Sequence, residues 1–283
     1  MNALFELANP RATRARVGVV LLGTGAVGSA LLRPFGTAVR AGVVLAGIAD
    51  SRSQYADERG LHAAGARQTL QAQGTARDDV VLLAVLDGAH CDRRAIIDAT
   101  ASAQVASRHA GWLREGYDVV TANKTAIGGA LAAWHVLQES AQAGDGEYAD
   151  SATVGAGLPV LSTLRRLRGA GDRLIALEGV FSGSLSWLFN HYDGARPFSA
   201  LLAEARAWGY TEPDPRADLC GADVARKLLI LARAAGRALD QHEVELENLV
   251  PPALRDIDAG AFRARPHELD ETFAARLAVA RPN

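Results

Sequence analysis

The stretch that decides the fold is RVGVVLLGTGAVG, residues 16–28. The apolar run Val17–Leu22 is continuous, which is typical of a parallel strand buried on both faces. The glycines that follow have G-x-G-x-x-G spacing, and a predicted helix continues from Ser29 to residue 35. In that position Gly23 permits the tight turn, Gly25 lets the backbone approach a pyrophosphate, and Gly28 lets the helix pack on the strand. We therefore predict a dinucleotide site along Gly23, Gly25, Ala26, Val27 and Gly28.

Two residues at the end of the next predicted strand bear on the choice of dinucleotide. Residues 43–49 are predicted as that strand, and Asp50 and Arg52 follow it. An acid at this position favours NAD because it bonds the ribose hydroxyls, whereas an arginine favours NADP because it binds the 2′-phosphate. Asp50 and Arg52 point in opposite directions, so the sequence predicts NADP or NAD without choosing between them.

Strands and helices then alternate along the first half of the chain. We predict further strands over residues 80–85, 95–100 and 118–121, with a helix through Trp112 between the last two. This alternation indicates a doubly wound parallel sheet of the Rossmann type, in which ligands bind at the carboxyl ends of the strands. Thr100 and Lys124 leave their strands at that edge, so we expect both near the nucleotide. The first domain is predicted to span residues 1–146.

Composition excludes several classes of protein. The 283 residues suit two domains, and 49% hydrophobic with 22% charged residues exclude a disordered or collagenous chain. A formal net charge of −2 gives no indication of a surface for nucleic acid or anionic membranes. No apolar run reaches the length of a membrane span, and Cys91 and Cys220 are too few for a disulfide framework. We expect a cytoplasmic protein that binds neither nucleic acid nor membranes.

The use of basic residues is unusual. Of the 30 lysines and arginines, only Lys124 and Lys227 are lysines. An ammonium group is compact and can give up its proton when it is desolvated, whereas a guanidinium cannot. The two amines are therefore candidates for proton transfer, although codon bias alone would also leave a few accidental lysines.

The second half of the chain has a different pattern. A glycine-rich loop over residues 151–159 leads into a predicted helix through Leu161, and a strand is predicted over residues 174–181. A turn at Ser182 begins another helix, and residues 198–208 form one more. We predict a second domain of α+β type over residues 147–283.

A polar cluster over residues 209–227 is the densest in the chain. We predict a helix over residues 221–235 with Asp218 as its cap, and Asp223 and Lys227 on one face because they are four residues apart. A solvent-exposed pair of this kind contributes about 0.3–0.5 kcal/mol and needs no function. The alternative is that Glu212, Asp218 and Asp223 surround an amine that serves an amino-acid substrate, which gains or loses a proton at oxygen.

Four segments, residues 119–124, 152–159, 178–186 and 209–227, resemble homoserine dehydrogenase. The resemblance is closest to the dehydrogenase half of the bifunctional aspartokinase–homoserine dehydrogenases. It implies reduction of L-aspartate 4-semialdehyde to L-homoserine by NAD(P)H, on the branch to threonine, methionine and isoleucine.

The resemblance also implies roles for the polar residues of the substrate site. Lys227 would donate a proton to the carbonyl oxygen as the hydride arrives. Glu212 and Asp223 would hold the amino and hydroxyl groups of the substrate, with Asp218 in support. Lys124 would lie between nicotinamide and substrate, and so belongs to both the cofactor site and the substrate site.

Further residues are implied for the cofactor and for a metal ion. Thr100 and Gly209 would line the dinucleotide, in addition to Arg52, which its place after the second strand already makes a candidate. The family has a structural sodium ion held mainly by backbone carbonyls, which correspond here to Val154, Ala156 and Leu158. The acidic ligand of that ion would fall on Ser151, with Asp150 one position earlier.

The resemblance further implies an assembly and a longer chain. The second domain of the family is also its dimerisation domain, so we expect a homodimer or a higher homo-oligomer. Family members continue beyond the point that corresponds to the end of this sequence. We therefore expect the second domain to be incomplete at its C-terminus.

Two other functions remain as alternatives. One is a different semialdehyde or hydroxy-acid dehydrogenase, which the acidic cluster disfavours because a simple hydroxy acid has no ammonium group for carboxylates to bind. The other is a truncated, catalytically silent dinucleotide-binding protein that acts as a sensor or partner.

Overall fold

The computed structural model describes residues 15–35 and 42–280. The chain divides into two compact units. The first runs to Ala126 and resumes over Ala132–Thr153, and the second comprises Ile127–Leu131 and everything from Val154 onward. Within the described ranges, no helix combines the length and the apolar character needed to cross a bilayer.

A seven-stranded sheet forms the first unit. The elements in chain order are β1 Val17–Leu22, α1 Ala26–Leu32, β2 Val43–Ala49, β3 Ser53–Ala56, α2 Ala66–Gln73, β4 Thr75–Ala76, α3 Asp79–Gly88, β5 Arg93–Asp98, α4 Ala103–Ala106, α5 His109–Arg114, β6 Asp118–Thr121, α6 Leu131–Ala143 and β7 Tyr148–Ala149. The strand order is β4-β3-β2-β1-β5-β6-β7, parallel from β2 to β7 and antiparallel at β3 and β4. The predicted doubly wound parallel sheet is confirmed.

The register of the central strands brings three strand ends to one level. Leu22, the last residue of β1, lies opposite Ala49 of β2 on one side and Asp98 of β5 on the other. The chain winds to either side of the sheet from β1, so the point between β1 and β5 is the topological switch point. Residues that follow these three strands therefore lie along one edge of the sheet.

One predicted strand of this unit is wrong. Residues 80–85 belong to helix α3, whose N-cap Asp78 accepts hydrogen bonds from the backbone N–H groups of Val80 and Val81. Leu82 and Leu86, four residues apart, are buried, whereas Val80 and Val81 are exposed. The apolar run thus has helical spacing on its buried side, and a capping aspartate precedes it.

Helices form the second unit in its described residues. They are α7 Val160–Gly169, α8 Gly183–His191, α9 Phe198–Ala207, α10 Arg216–Leu219, α11 Ala222–Ala234, α12 Ala259–Ala264 and α13 Pro266–Ala280. Phe198 and Phe273 stack at the centre of its core with ring centroids 3.6 Å apart. The four helices predicted in this half are confirmed. The two with predicted bounds, residues 198–208 and 221–235, agree with α9 and α11 to within one residue at each end, which is the usual uncertainty of helix ends.

The strand predicted over residues 174–181 is wrong. Among residues 154–280 there is no strand, so the α+β character predicted for the second domain is absent from the part that the structure describes. Ile175 is 99% exposed and Val180 75% exposed. A strand needs a neighbour to accept and donate its backbone hydrogen bonds, and an apolar run alone does not supply one.

A buried arginine fastens the last turn of α11. The Arg233 side chain donates to the carbonyl oxygens of Ile127 at 2.7 Å, Gly129 at 2.9 Å and Leu239 at 2.9 Å. Arg233 is 3% exposed, and burial lowers the pKa of its guanidinium below the usual value. The guanidinium thus joins the last turn of α11 to two other backbone stretches of the second unit, residues 127–129 and Leu239.

We expect Arg233→Leu to lower the free energy of unfolding by about 2–4 kcal/mol, because buried carbonyl oxygens then lose their donors. Thermal and urea unfolding would measure the loss. Arg206→Leu is the control, since Arg206 is an exposed arginine in the last turn of α9. Equal melting temperatures for the two variants would contradict the role of Arg233.

Candidate active site

The glycine turn after β1 is held by very close packing. A Cβ added at Gly28 would lie 1.9 Å from the Gly23 carbonyl oxygen, and one at Gly23 would lie 2.9 Å from the Ala99 backbone. Gly23 also has a φ of +95°, which L side chains rarely adopt. A Cβ at Gly25 would meet nothing within 4 Å. Gly23 and Gly28 are therefore required by the fold, whereas Gly25 leaves open space beside the turn, as a pyrophosphate would need.

The turn after β2 contains the two residues that bear on cofactor choice. The Asp50 Oδ1 accepts hydrogen bonds from the backbone N–H groups of Arg52 and Ser53, each at 2.8 Å. The bond from Arg52 makes the largest contribution to lowering the pKa of this carboxyl. One oxygen of Asp50 is thus committed to the β2–β3 turn, while Arg52 is exposed.

A groove lies at the carboxyl ends of β2 and β5. Its volume is about 680 Å³, and its lining includes Ser51, Arg77, Thr100, Gln104 and Arg108. A cavity of about 730 Å³ lies at the other end of β2, around its first residues, and so away from this edge. The groove has the position in which doubly wound sheets bind their ligands.

Thr100 and Lys124 follow neighbouring strands at this edge. The backbone N–H and the hydroxyl of Thr100 donate to the Asp98 Oδ1 at 2.8 and 2.6 Å. Lys124 lies between Asn123 and Thr125, and the Asn123 Oδ1 accepts from the Thr125 N–H at 3.0 Å. Hydrogen bonds within the first unit therefore hold the segment that contains Thr100 and the turn that contains Lys124.

Lys227 and Asp223 form the predicted pair on α11. The Lys227 Nζ lies 2.7 Å from the Asp223 Oδ2 and also donates to the Phe181 carbonyl oxygen at 2.7 Å. The Lys227 side chain is 18% exposed. Because the second contact comes from a segment distant in sequence, the pair is more than an exposed ion pair on a helix face.

The prediction that Asp218 caps the helix containing Lys227 is wrong. Asp218 lies in α10, and α11 begins after Gly221 without a side-chain cap. The Asp218 Oδ1 instead accepts from the Ser184 hydroxyl at 2.7 Å, and its Oδ2 accepts from the Glu212 N–H at 2.8 Å. The left-handed turn at Gly221, where φ is +74°, separates the two helices and leaves Asp218 to join the Glu212 loop to α8.

Arg216 anchors the loop over residues 209–215, called the acidic loop below. Its guanidinium donates to the Ile257 carbonyl at 2.5 Å and to the Asp214 carboxylate at 2.6 Å. Hydrogen bonds from Arg216 hold the pKa of the Asp214 carboxyl below its usual value. Glu212 and Gly209, at the start of the loop, are exposed. The anchored loop thus presents the Glu212 side chain at the surface of the second unit.

The segment over residues 181–184 contacts both Lys227 and Asp218. Its Phe181 carbonyl binds Lys227, and its Ser184 hydroxyl binds Asp218. The sequence assigned neither group a role. Ser184 lies in one of the segments that resemble the family and was open to prediction, whereas a backbone carbonyl has no sequence signal.

The carbonyls predicted to bind sodium lie in one tight loop. Gly155 and Ala156 have φ of +82° and +51°, and the Leu158 carbonyl accepts from the Val160 N–H at 2.8 Å. Nearby, Asp150 is buried and Ser151 is exposed. Within residues 15–35 and 42–280, no group of three or more His, Cys, Asp and Glu side chains is placed to hold a metal.

Two family models match the chain in consecutive segments. Residues 23–149 match the model of the homoserine dehydrogenase NAD-binding domain, and residues 159–276 match the model of homoserine dehydrogenase. The first match begins at Gly23 and the second includes the acidic loop and Lys227.

Individual relatives agree with the models. The chain is 37% identical over 271 residues to a bifunctional aspartokinase/homoserine dehydrogenase of Zea mays, covering 93% of this chain and 30% of the relative. It is 41% identical over 194 residues to homoserine dehydrogenase of Emericella nidulans, covering 65% of this chain and 53% of the relative. The chain thus spans less than a third of the maize protein and about half of the fungal one.

A solved structure has the same fold. Homoserine dehydrogenase from Thermoplasma acidophilum superimposes with a TM-score of 0.64 at 25% identity, covering 81% of this chain and 72% of the other. The two family models, the relatives and this structure agree, and the chain belongs to the homoserine dehydrogenase family.

Proposed function

We propose that this chain reduces L-aspartate 4-semialdehyde to L-homoserine with NAD(P)H, in the biosynthesis of threonine, methionine and isoleucine. The observation that carries the proposal is the Lys227 ammonium, which is shielded and held between Asp223 and the Phe181 carbonyl. Membership of the homoserine dehydrogenase family supports the same reaction.

The first unit would hold the dinucleotide. The open space at Gly25 fits a pyrophosphate, and Gly23, Ala26, Val27 and Gly28 form the rest of that turn. Bound NAD(P)H would supply the hydride. Thr100 and Lys124, which follow β5 and β6, would lie along the nicotinamide half. The resemblance to the family also assigns Gly209 to the dinucleotide.

Lys227 would donate the proton. An ammonium has three N–H groups, and the contacts with Asp223 and Phe181 use two of them. The third N–H would bond the substrate carbonyl oxygen and transfer its proton there as negative charge develops. An arginine could hold the same oxygen but would not release the proton near neutral pH.

Carboxylates would recognise the amino acid. Glu212 and Asp223 would bind the substrate ammonium and hydroxyl groups, because charge-assisted hydrogen bonds are the stronger kind. Asp218 would act through the Glu212 backbone, to which it is bonded at 2.8 Å. A hydroxy acid without an ammonium group would leave these carboxylates unpaired, which disfavours it as a substrate.

Three further proposals come from the family. By analogy with the domain organisation of the family, the dinucleotide domain would extend to about residue 146, and the substrate domain would begin there. The second domain would form a homodimer or a higher homo-oligomer. A sodium ion would bind the carbonyls of Val154, Ala156 and Leu158, and the positive φ of Ala156 supports a functional constraint on that loop.

The proposal is tested first at Lys227. We expect Lys227→Arg to lower kcat by about 10²–10⁴-fold while NADPH binding stays unchanged, because the positive charge remains and the transferable proton is lost. The assay is homoserine oxidation followed by NADPH absorbance. Arg226→Lys, one residue earlier on the same helix, is the control and should keep wild-type turnover. Near-normal kcat in Lys227→Arg would place the acid elsewhere.

The glycine turn gives a second test. Gly25→Val should abolish NADPH binding at an unchanged melting temperature, since its side chain would fill only open space. Gly28→Ala is the matched variant, and it should lower the melting temperature because its Cβ would collide with the Gly23 carbonyl. Fluorescence titration and thermal unfolding separate the two effects. Wild-type NADPH affinity in Gly25→Val would contradict this location for the pyrophosphate.

Cofactor choice is tested at Arg52. If Arg52 binds the 2′-phosphate, Arg52→Ala should weaken NADPH about tenfold to a hundredfold and leave NADH nearly unchanged, which is the range expected for losing a charged hydrogen bond. Arg59→Ala is the control, because Arg59 is exposed and already pairs with Asp57. An equal loss of affinity for both dinucleotides would show that Arg52 does not distinguish them.

A further inference from the structure

Building on the proposed dinucleotide site, we infer that Asp98 is a positioning residue that fixes the chain segments leaving β5 and β6, and that His109 and Tyr148 hold Asp98 in place. The two segments contain Thr100 and Lys124. Asp98 would thus set the geometry of the nicotinamide side of the site without touching the cofactor.

Asp98 receives hydrogen bonds from three parts of the first unit, namely the segment after β5, helix α5 and the segment after β6. Its Oδ1 accepts from the Thr100 N–H and hydroxyl at 2.8 and 2.6 Å. Its Oδ2 accepts from the His109 Nε2 and the Asn123 Nδ2, each at 2.9 Å. Asp98 and His109 are fully buried. Asp98 and Thr121 are the last paired residues of β5 and β6. The Asp98 carboxylate therefore joins the two chain segments beyond the point where the strands stop pairing.

Asn123 transmits this connection to Lys124. Its Nδ2 also donates to the Ser102 carbonyl at 2.9 Å, and its Oδ1 accepts from the Thr125 N–H at 3.0 Å. The Asn123 amide therefore spans the segment after β5 and the turn that contains Lys124. A shift of Asn123 would move the backbone on both sides of that lysine.

His109 and Tyr148 extend the network to α5 and β7. Burial disfavours ionisation of Asp98, but hydrogen bonds from His109 and Thr100 outweigh it and hold the pKa of the carboxyl below its usual value. An ionised carboxylate only accepts, so the His109 Nε2 carries the hydrogen. The His109 Nδ1 lies 3.1 Å from the Tyr148 hydroxyl, which fixes the other side of the ring.

The donor pattern explains why a carboxylate is needed at position 98. Thr100, His109 and Asn123 all present hydrogens to it, and an amide of the same shape has one accepting atom and one donating group. With an amide, either Thr100 or Asn123 would face a donor. One of the two segments would then be released. Displacement of the groups that line a site lowers both ligand affinity and reaction rate.

We expect Asp98→Asn to weaken NADPH binding about tenfold or more and to lower kcat as well. Hydrogen–deuterium exchange should become faster in residues 99–102 and 122–126 and stay unchanged on β2. The control is Tyr117→Phe, which removes the hydroxyl of a buried tyrosine that is bonded to Asp87 at 2.9 Å in the same unit. It should lower the melting temperature without changing NADPH affinity.

The double variant Asp98→Asn/Asn123→Asp tests the pairing directly. It exchanges donor and acceptor between the two positions, so we expect NADPH affinity to recover at least about threefold relative to Asp98→Asn. Recovery stays partial because the carboxylate moved to position 123 also faces the Ser102 carbonyl, and the amide moved to position 98 turns a donor toward the His109 Nε2–H. Tyr148→Phe, a milder change, should weaken NADPH binding by about threefold.

Three results would overturn the inference. They are wild-type NADPH affinity in Asp98→Asn, no recovery in a folded double variant, and equal effects of Tyr148→Phe and Tyr117→Phe on affinity. Where the double variant does not fold, the comparison of the two tyrosine variants decides. Failure of the proposed dinucleotide site is recognised separately, because the wild-type chain itself would then bind no NADPH, and that result would remove both proposals. A wild-type chain that binds NADPH but does not oxidise homoserine would contradict the proposed reaction alone.

Discussion

The contact of Gly28 with the carbonyl of Gly23 is the constraint on which the first unit depends. A single added carbon at Gly28 would lie 1.9 Å from that oxygen, so β1 can turn into α1 only with glycine there. β1 is also the strand at which the sheet changes its winding direction, and its end lies level with those of β2 and β5. Because the ends of the three strands are level, Arg52 after β2 and Thr100 after β5 lie along the same edge as the glycine turn.

Local signals predicted most of the fold, and the errors have physical causes. The glycine turn and the buried run of β1 are both contained in residues 17–28, so the sequence was sufficient there. The strand predicted over residues 80–85 is wrong because helices and strands use the same apolar residues, and the capping Asp78 favours the helix. The run over residues 174–181 has strand-like composition, but strand formation depends on a partner elsewhere in the chain.

The candidate site was predictable where contacts are local. The Lys227–Asp223 pair follows from their spacing of four residues and is confirmed. The sequence predicts Asp218 as the cap of the helix that follows it, whereas its partners Ser184 and Glu212 lie in α8 and in the loop before α10. The fully buried His109 was missed because nothing in the sequence around it marks a contact with a strand end. Side-chain contacts between elements require the fold before they can be named.

The scarcity of lysine gives the contact of Lys227 with Asp223 and Phe181 a practical meaning. Lys124 and Lys227 are the only side-chain amines among the 283 residues, so reagents that acylate amines have few targets in this chain. The shielding of Lys227, 18% exposed and held by two acceptors, makes it a slow target until those contacts loosen. Labelling rates read by mass spectrometry would therefore act as an intrinsic reporter of how firmly the amine is held, without any introduced probe.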